Sequence, residues 1–264
     1  MCPQSVHRIS PMPKPPKTQI RRAASPQSAR SPKAADAGTD REPRNARRKR
    51  ETRERLLDAA LRLMAERGMA GVAINEITDA ADVGFGSFYN YFESKEAIYD
   101  ALIKQVFEDF GDALDRLVQD VTDPAEAIAH CIRHALLRAR REPMWGQFLL
   151  REGYSQNALT HGLGRRLLRD IGRGVDAGRL QVPDLLMSFI AAGGIVLAAI
   201  ATEQQVGSEN SPQAALVKGL GMDVGDIPER AATMVLTTLG LPPKEAAELA
   251  RKPLPVTEPP PAAT

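Results

Sequence analysis

Between Phe85 and Phe92 the chain places five aromatic rings in eight positions (Phe85, Phe88, Tyr89, Tyr91 and Phe92), although aromatics make up only 5% of the sequence. Gly86, Ser87 and Asn90 lie among them, and Ser94 and Lys95 follow. Phenolic hydroxyls and an ammonium donate hydrogen bonds to anionic oxygens, whereas an amide such as Asn90 pairs bidentately with adenine and Ser87 serves several bases. This is the chemistry of duplex recognition, in which phosphate contacts set register and base-edge contacts supply sequence preference. On a helix starting near Phe85, Phe88 and Phe92 share one face and are expected to bury against Leu61, Ile77 and Ile98. Tyr89 and Tyr91 are then free to reach phosphates, and Phe85 can meet a thymine methyl. Lys95 stands where a new helix starts, so its ammonium and the free amides there form a phosphate seat.

Those groups need a scaffold, and the flanking sequence supplies a helical one. From Arg47 onward, apolar residues fall at Leu56, Leu57, Ala60, Leu61 and Met64, the spacing of one helix face, with Gly68 as a stop. A short helix carrying Ile74 and Ile77 follows, then a tight turn, the aromatic segment, and a long helix from about Ser94. Two short helices separated by a tight turn predict a helix-turn-helix at about 73–92, within a DNA-binding head of residues 47–95. Further helical patterns continue past Asp123-Pro124 and end at Gly240-Leu241-Pro242, giving a second, ligand-binding and dimerisation domain over 96–250. Gln204 to Asp226 reads as a polar loop. Residues 1–46 are rich in Pro, Ser, Ala and Arg without apolar periodicity and are expected to be a disordered basic tail; 251–264 read as a loose C-terminal tail. The fold class is all-α.

Charge is lopsided along the chain. Residues 1–50 hold 13 Lys/Arg against 3 Asp/Glu, leaving 22 against 30 in the rest, although the net charge is only +2. A basic arm on an acidic body points to an anionic partner, and Arg48, Arg50 and Arg53 are candidates to follow a DNA backbone. A rival reading is a protein that binds nucleic acid or a membrane surface nonspecifically through that tail. Two cysteines, Cys2 and Cys131, make no disulfide framework, which suggests a reducing, cytoplasmic setting. The apolar run Leu185–Ala201 is short for a membrane span and contains Gly193-Gly194, so a buried helix and no membrane partner are expected. A nucleophile elbow, a His-Glu-x-x-His pair and a Walker loop are all missing, so the chain does not read as an enzyme and no cofactor is implied.

The segment from Thr52 to about Phe110 resembles the N-terminal domain of the TetR family of transcriptional regulators. The family's Tyr-x-Tyr-Phe-x-Ser-Lys-Glu signature is matched by Tyr89, Tyr91, Phe92, Ser94, Lys95 and Glu96. The resemblance implies a homodimer that represses transcription from a palindromic duplex operator until a small-molecule effector binds. It also implies that Tyr89, Tyr91 and Lys95 anchor phosphates while positions 85–90 lie in or near the groove, and Asn75 joins the expected DNA-contacting set. Three positions depart from the pattern: Ala73 replaces a phosphate-binding Ser or Thr, Asp82 replaces a turn Gly, and Gly84 replaces a Ser.

For the second domain the residues give weaker direction. Ala191, Gly194 and Ala198, with their alanine neighbours, make a helix surface of little bulk, which together with Met234 and Leu239 suits a four-helix interface about a two-fold axis. Met144, Trp145 and Phe148 are candidates for an apolar effector wall. His130 and His134, four apart, are candidates for polar pocket lining; with Cys131 they also raise the alternative of a metal-responsive regulator.

Overall fold

The computed structural model describes residues 44–153, 162–206 and 212–255, all of whose regular elements are helical. The expected tail thus lies outside the described residues as far as residue 43, as do residues 256–264. Helix α1 (Arg44–Arg67) starts three residues earlier than the Arg47 boundary. Its first turns bury nothing; ion pairs at i,i+4 spacing, Arg47–Glu51 at 2.7 Å and Arg50–Glu54 at 3.6 Å, support them. From Leu56 onward α1 becomes a core helix, burying Leu56, Leu57, Ala60 and Met64. Gly68, at φ +73°, ends it, its amide donating to the Met64 carbonyl at 2.8 Å.

Helices α2 (Ile74–Ala80) and α3 (Phe85–Phe88) form the helix-turn-helix. The turn passes through Asp82 at φ +52°, so an aspartate adopts the left-handed backbone that a glycine would take without strain. An Asp82→Gly variant is expected to be up to about 1 kcal/mol more stable, and Asp82→Val at least about 1 kcal/mol less stable, in urea denaturation.

Ser94 caps the next helix, its Oγ accepting from the Ala97 amide at 3.1 Å. Helix α4 (Lys95–Ile103) runs through a π-helical turn, Lys104–Glu108, into α5 (Asp109–Leu117). The rod therefore starts in the head and ends deep in the second domain. There α6 (Pro124–Arg141), α7 (Pro143–Gly153), α8 (Gly162–Asp176), α9 (Leu185–Val206), α11 (Ile227–Thr238) and α12 (Pro243–Ala250) pack together, with α10 (Pro212–Gly219) against α9. Asp123 opens α6, accepting from the Ala125 amide at 2.9 Å and from Arg179, which also reaches Glu245 on α12 at 2.7 Å.

Four expectations are corrected here. The stretch Gln204–Asp226 is not wholly a loop: α9 continues to Val206, and α10 occupies Pro212–Gly219, its Pro at the first turn and Gly at the end marking its limits. Residues 251–255 are held rather than loose, because Arg133 donates to the Lys252 carbonyl at 2.6 Å and His134 Nε2 lies 3.2 Å from the Pro255 carbonyl. Leu239 cannot serve an interface, being fully buried within its own chain beside Leu236. Finally, α9 is not a buried helix. It is long and apolar enough to cross a membrane by composition, but it packs against α6, α7, α8 and α11 on one side only. Leu186 and Met187 stay more than half exposed and Ile190 half exposed. A helix apolar all round has a second face to cover.

Candidate nucleic-acid interface and effector cavity

In the head, the aromatic cluster divides as the spacing predicts. Phe88 and Phe92 are buried with ring centroids 5.8 Å apart, while Phe85 and Tyr89 are each just over half exposed. The two exposed rings meet edge to face at 5.9 Å, and Tyr89 also abuts Phe88 at 5.5 Å. Tyr89 is therefore held at its root by the core while its outer edge stays free. Tyr91 and Ser87 are half-buried, and Asn75, Gly86 and Asn90 are exposed. The Arg53 guanidinium stands 5.2 Å from the Phe92 ring centroid, so this arginine is already ordered against the recognition segment. Arg48 and Arg50 lie on the exposed start of α1.

Lys95 joins two helix starts. Its ammonium, at the first turn of α4, donates to the Val72 carbonyl at 3.1 Å, one residue before α2's cap. At that cap Ala73 has no side-chain oxygen to offer. Its amide is taken by Glu76 at 2.8 Å, and Glu76 also pairs with Arg67 at 2.7 Å. Those two bonds hold the Glu76 carboxyl below its ordinary pKa, the Ala73 amide being the larger cause. Ala73 therefore does not have a free amide to replace the lost hydroxyl.

A cavity of about 340 Å³ lies in the second domain. Its walls are mainly apolar and come from the α4–α5 rod (Ile103, Phe107, Leu114), α6 (Ile128, Ile132, Ala135), α7, α8 and α9 (Phe189, Val196, Leu197). That volume is at the lower end of the ~300–1,000 Å³ typical of small-molecule sites. Polar groups are concentrated at two places. Tyr99 on α4 donates its hydroxyl to Glu152 on α7 at 2.6 Å, and burial followed by this carboxylate raises the phenol's pKa. Arg166 on α8 bonds to Glu108 at 2.8 Å, to Asp115 at 3.2 Å and to Asp112. The Arg166 guanidinium keeps Glu108 ionised to lower pH than usual. At Asp115 burial opposes ionisation, but Arg169 and Arg166 outweigh it.

None of the residues expected to form the effector wall lines this cavity. His130 is buried, 3.4 Å from Glu126, and burial lowers its pKa. His134 faces the Pro255 carbonyl, Met144 is half-buried elsewhere, and Trp145 is packed between Phe110 and the Arg138 guanidinium. Phe148 comes nearest, as a buried support behind the lining rings of Tyr99 and Phe107 at 6.2 and 6.1 Å. Cys131 does face the cavity, since it sits about 100° round the helix from His130. The same rotation turns Cys131 away from the face that His130 and His134 share, and no cluster of metal-binding side chains occurs among the described residues. Burial also pushes the Cys131 thiol up to about 12, far from the thiolate a metal needs.

Comparison with known proteins agrees with this geometry. Residues 56–102 match the model for bacterial regulatory proteins of the tetR family, and residues 123–252 match a tetracyclin repressor-like C-terminal domain. The crystal structure of RolR in complex with resorcinol aligns at 34% identity and TM-score 0.54, covering 80% of this chain and 98% of that one. The chain belongs to the TetR family. Curated TetR-type relatives include the repressor DhaR of Mycobacterium sp. strain GP1, 38% identical over 72 residues, which are 27% of this chain and 36% of DhaR. An HTH-type regulator of Mycobacterium tuberculosis strain H37Rv is 36% identical over 107 residues, 40% of this chain and 52% of that protein. The chain thus spans about a third to a half of the length of these curated relatives. Membership makes this chain a DNA-binding transcriptional regulator with a TetR head and a helical C-terminal domain.

Proposed function

We propose that the protein is a homodimeric repressor that holds a palindromic operator and releases it when an uncharged, hydroxyl-bearing aromatic compound fills the α4–α9 cavity. The observation that carries the DNA reading is the placement of Tyr89, Tyr91 and Lys95 around one α3–α4 junction with Phe88 and Phe92 locked beneath. Tyr89, Tyr91 and Lys95 hold phosphates, and Phe85, Gly86, Ser87 and Asn90 face the groove. Asn75 contacts the backbone from α2, and Arg48, Arg50 and Arg53 follow the flanking duplex. Gly86 supports this orientation, because a Cβ added there meets nothing within 4 Å in the free protein. Gly86→Ala is therefore expected to fold normally, stabilised by up to about 1 kcal/mol. If the helix seats closely in the groove, the methyl lowers operator affinity about tenfold or more in an anisotropy titration.

The dimer reading rests on the uncovered faces of α9 and α11. Ile190, Gly194 and Ala198 recur at i+4 along α9, with Ala191 beside them, and Met234 on α11 is more than half exposed. A Cβ at Gly194 has open space in the protomer, so Gly194→Arg is expected to leave the fold intact while converting a dimer to a monomer in sedimentation velocity.

The effector reading combines RolR's complex with resorcinol and the charge inside the cavity. Among the described residues, Asp100, Asp115, Glu152 and Asp170 line it with one lining cation, Arg166, which already bonds three carboxylates; Arg169 pairs with Asp115 and Asp170, so Asp100 and Glu152 carry the remaining negative charge. An anionic ligand meets repulsion there, whereas a phenol can donate to a carboxylate. Calorimetry should show binding of resorcinol and little of benzoate. Resorcinol should also raise the concentration of protein needed to hold its operator; undiminished DNA binding at saturating resorcinol would exclude this effector class.

A further inference from the structure

Helix α7 packs along α1 of the DNA-binding head, and two of its adjacent residues make polar links in opposite directions, one to the head and one at the cavity. Arg151 reaches the C-terminus of α1, donating from Nε to the Ala65 carbonyl at 3.2 Å and from Nη2 to the Glu66 carbonyl at 2.8 Å. These are carbonyls that a helix end leaves without intrahelical partners, and the guanidinium also complements the negative end of the helix dipole. Gly68 makes room for it, since a Cβ there would come within 3.0 Å of Arg151 Nη1. Glu152, one residue on and about 100° round the helix, lines the cavity and accepts the Tyr99 hydroxyl from α4 at 2.6 Å. Through two adjacent side chains α7 is tied to α1, against which α2 packs, and to α4, which packs on α1 and follows α3 in the chain.

We propose that Glu152 is an effector-sensing residue, that its bond to Tyr99 is a latch between α7 and α4, and that Arg151 is the positioning residue that transmits the latch's state to the head. The proposal rests on the ligand-responsive reading above. A hydroxyl on the effector donates to Glu152 in place of Tyr99, so α4 is freed from α7 while Arg151 keeps α7 fixed to α1. The effector thereby produces the shift of α4 that membership of the TetR family implies, and the new element is that Glu152, Tyr99 and Arg151 couple the ligand to it. Both partners of the latch lie on the cavity wall, so a bound compound needs no further conformational change to reach it. Asp100, on the same wall, adds to the preference for a donor without negative charge.

A double-mutant cycle on the full chain tests this with DNA selected by the wild-type protein and no effector. Tyr99→Phe opens the latch and is expected to weaken operator binding about fivefold or more, within the usual range of allosteric coupling. In an Arg151→Met background the same change is expected to alter affinity less than twofold, because the hydrogen bonds that fix α7 to the C-terminus of α1 are gone, although the two helices still pack together. An equal loss in both backgrounds, or no loss from Tyr99→Phe alone, overturns the relay; thermal melts of all four proteins separate either result from unfolding. In parallel, calorimetry with resorcinol should show Glu152→Gln binding about tenfold more weakly than wild type, and unchanged affinity would remove Glu152 from the sensor. Failure of wild type to bind resorcinol would overturn only the phenolic effector, with the cycle still deciding the relay. A chain that selects no DNA would overturn both.

Discussion

Replacing Tyr89 by Phe and Lys95 by Ala together is expected to lower operator affinity about 100-fold. A hydrogen bond to a charged group contributes about 1.5–3 kcal/mol and a neutral donor about 1, and the sum of about 3 kcal/mol corresponds to roughly two decades. Both changes leave the buried Phe88–Phe92 pair in place, so the head keeps its core. Lys95 has a second role in the free protein, its bond to the Val72 carbonyl, and its loss should cost up to about 1 kcal/mol of stability. Urea denaturation measures that part separately. The phosphate role has its own signature, because removing one cation that neutralises a phosphate lowers the slope of log affinity against log salt by about 1. A salt slope unchanged by Lys95→Ala would mean that the ammonium serves only to hold α2 against α4.

The largest expected effect on stability is at Arg166. This guanidinium is almost fully buried and bonds Glu108, Asp112 and Asp115, joining α8 to the π turn and α5. Gly111 lets it in, since a Cβ there would stand 2.6 Å from the guanidinium. Arg166→Met removes the cation that joins these three carboxylates, leaving Asp115 with Arg169 at 2.7 Å and Glu108 with Arg165 at 3.9 Å. Breaking a buried pair costs about 3–5 kcal/mol. The carboxylates here are about a third or more exposed, so roughly 2–3 kcal/mol is expected, read from urea denaturation at pH 7. The pH dependence should weaken as well. In the wild type, Glu108's pKa is depressed by Arg166, so its contribution is complete above the ordinary carboxylate pKa of about 4.3 and is lost as pH falls through the lower folded value. In the variant that depression is smaller, since Gly162 and Arg165 alone still lower the Glu108 pKa, and acidification from pH 7 toward 4 should cost less stability than in the wild type.

The head was legible in the sequence because local signals there agree. Phe88 and Phe92 at i,i+4, the helix start near Ser94 and the turn at Asp82 each constrain the same few residues, and all three appear as expected. The cavity was not legible, because its lining is contributed singly by helices far apart in sequence. Trp145 and His130 drew attention by residue type, but a lone Trp and paired His say nothing about which helix face meets a void. The better signal was the stripe Tyr99, Ile103 and Phe107, one helical turn apart along the rod leaving the head. Leu239 misled for a related reason: periodicity marks it as apolar and inward, and does not distinguish its own core from a partner's. Helix α10 was missed because its Pro and Gly limits resemble loop composition in so short an element.

The most direct test is selection of bound duplexes from a random DNA pool by the full-length chain, alongside the Tyr89→Phe/Lys95→Ala variant. The proposed repressor should enrich a palindrome whose half-sites are centred about one helical turn apart, ~34–36 Å, and the variant should lose that enrichment. A pool that stays unenriched, with DNA retention that disappears only when residues 1–46 are deleted, would contradict a sequence-reading head and leave the basic tail as the DNA-binding element.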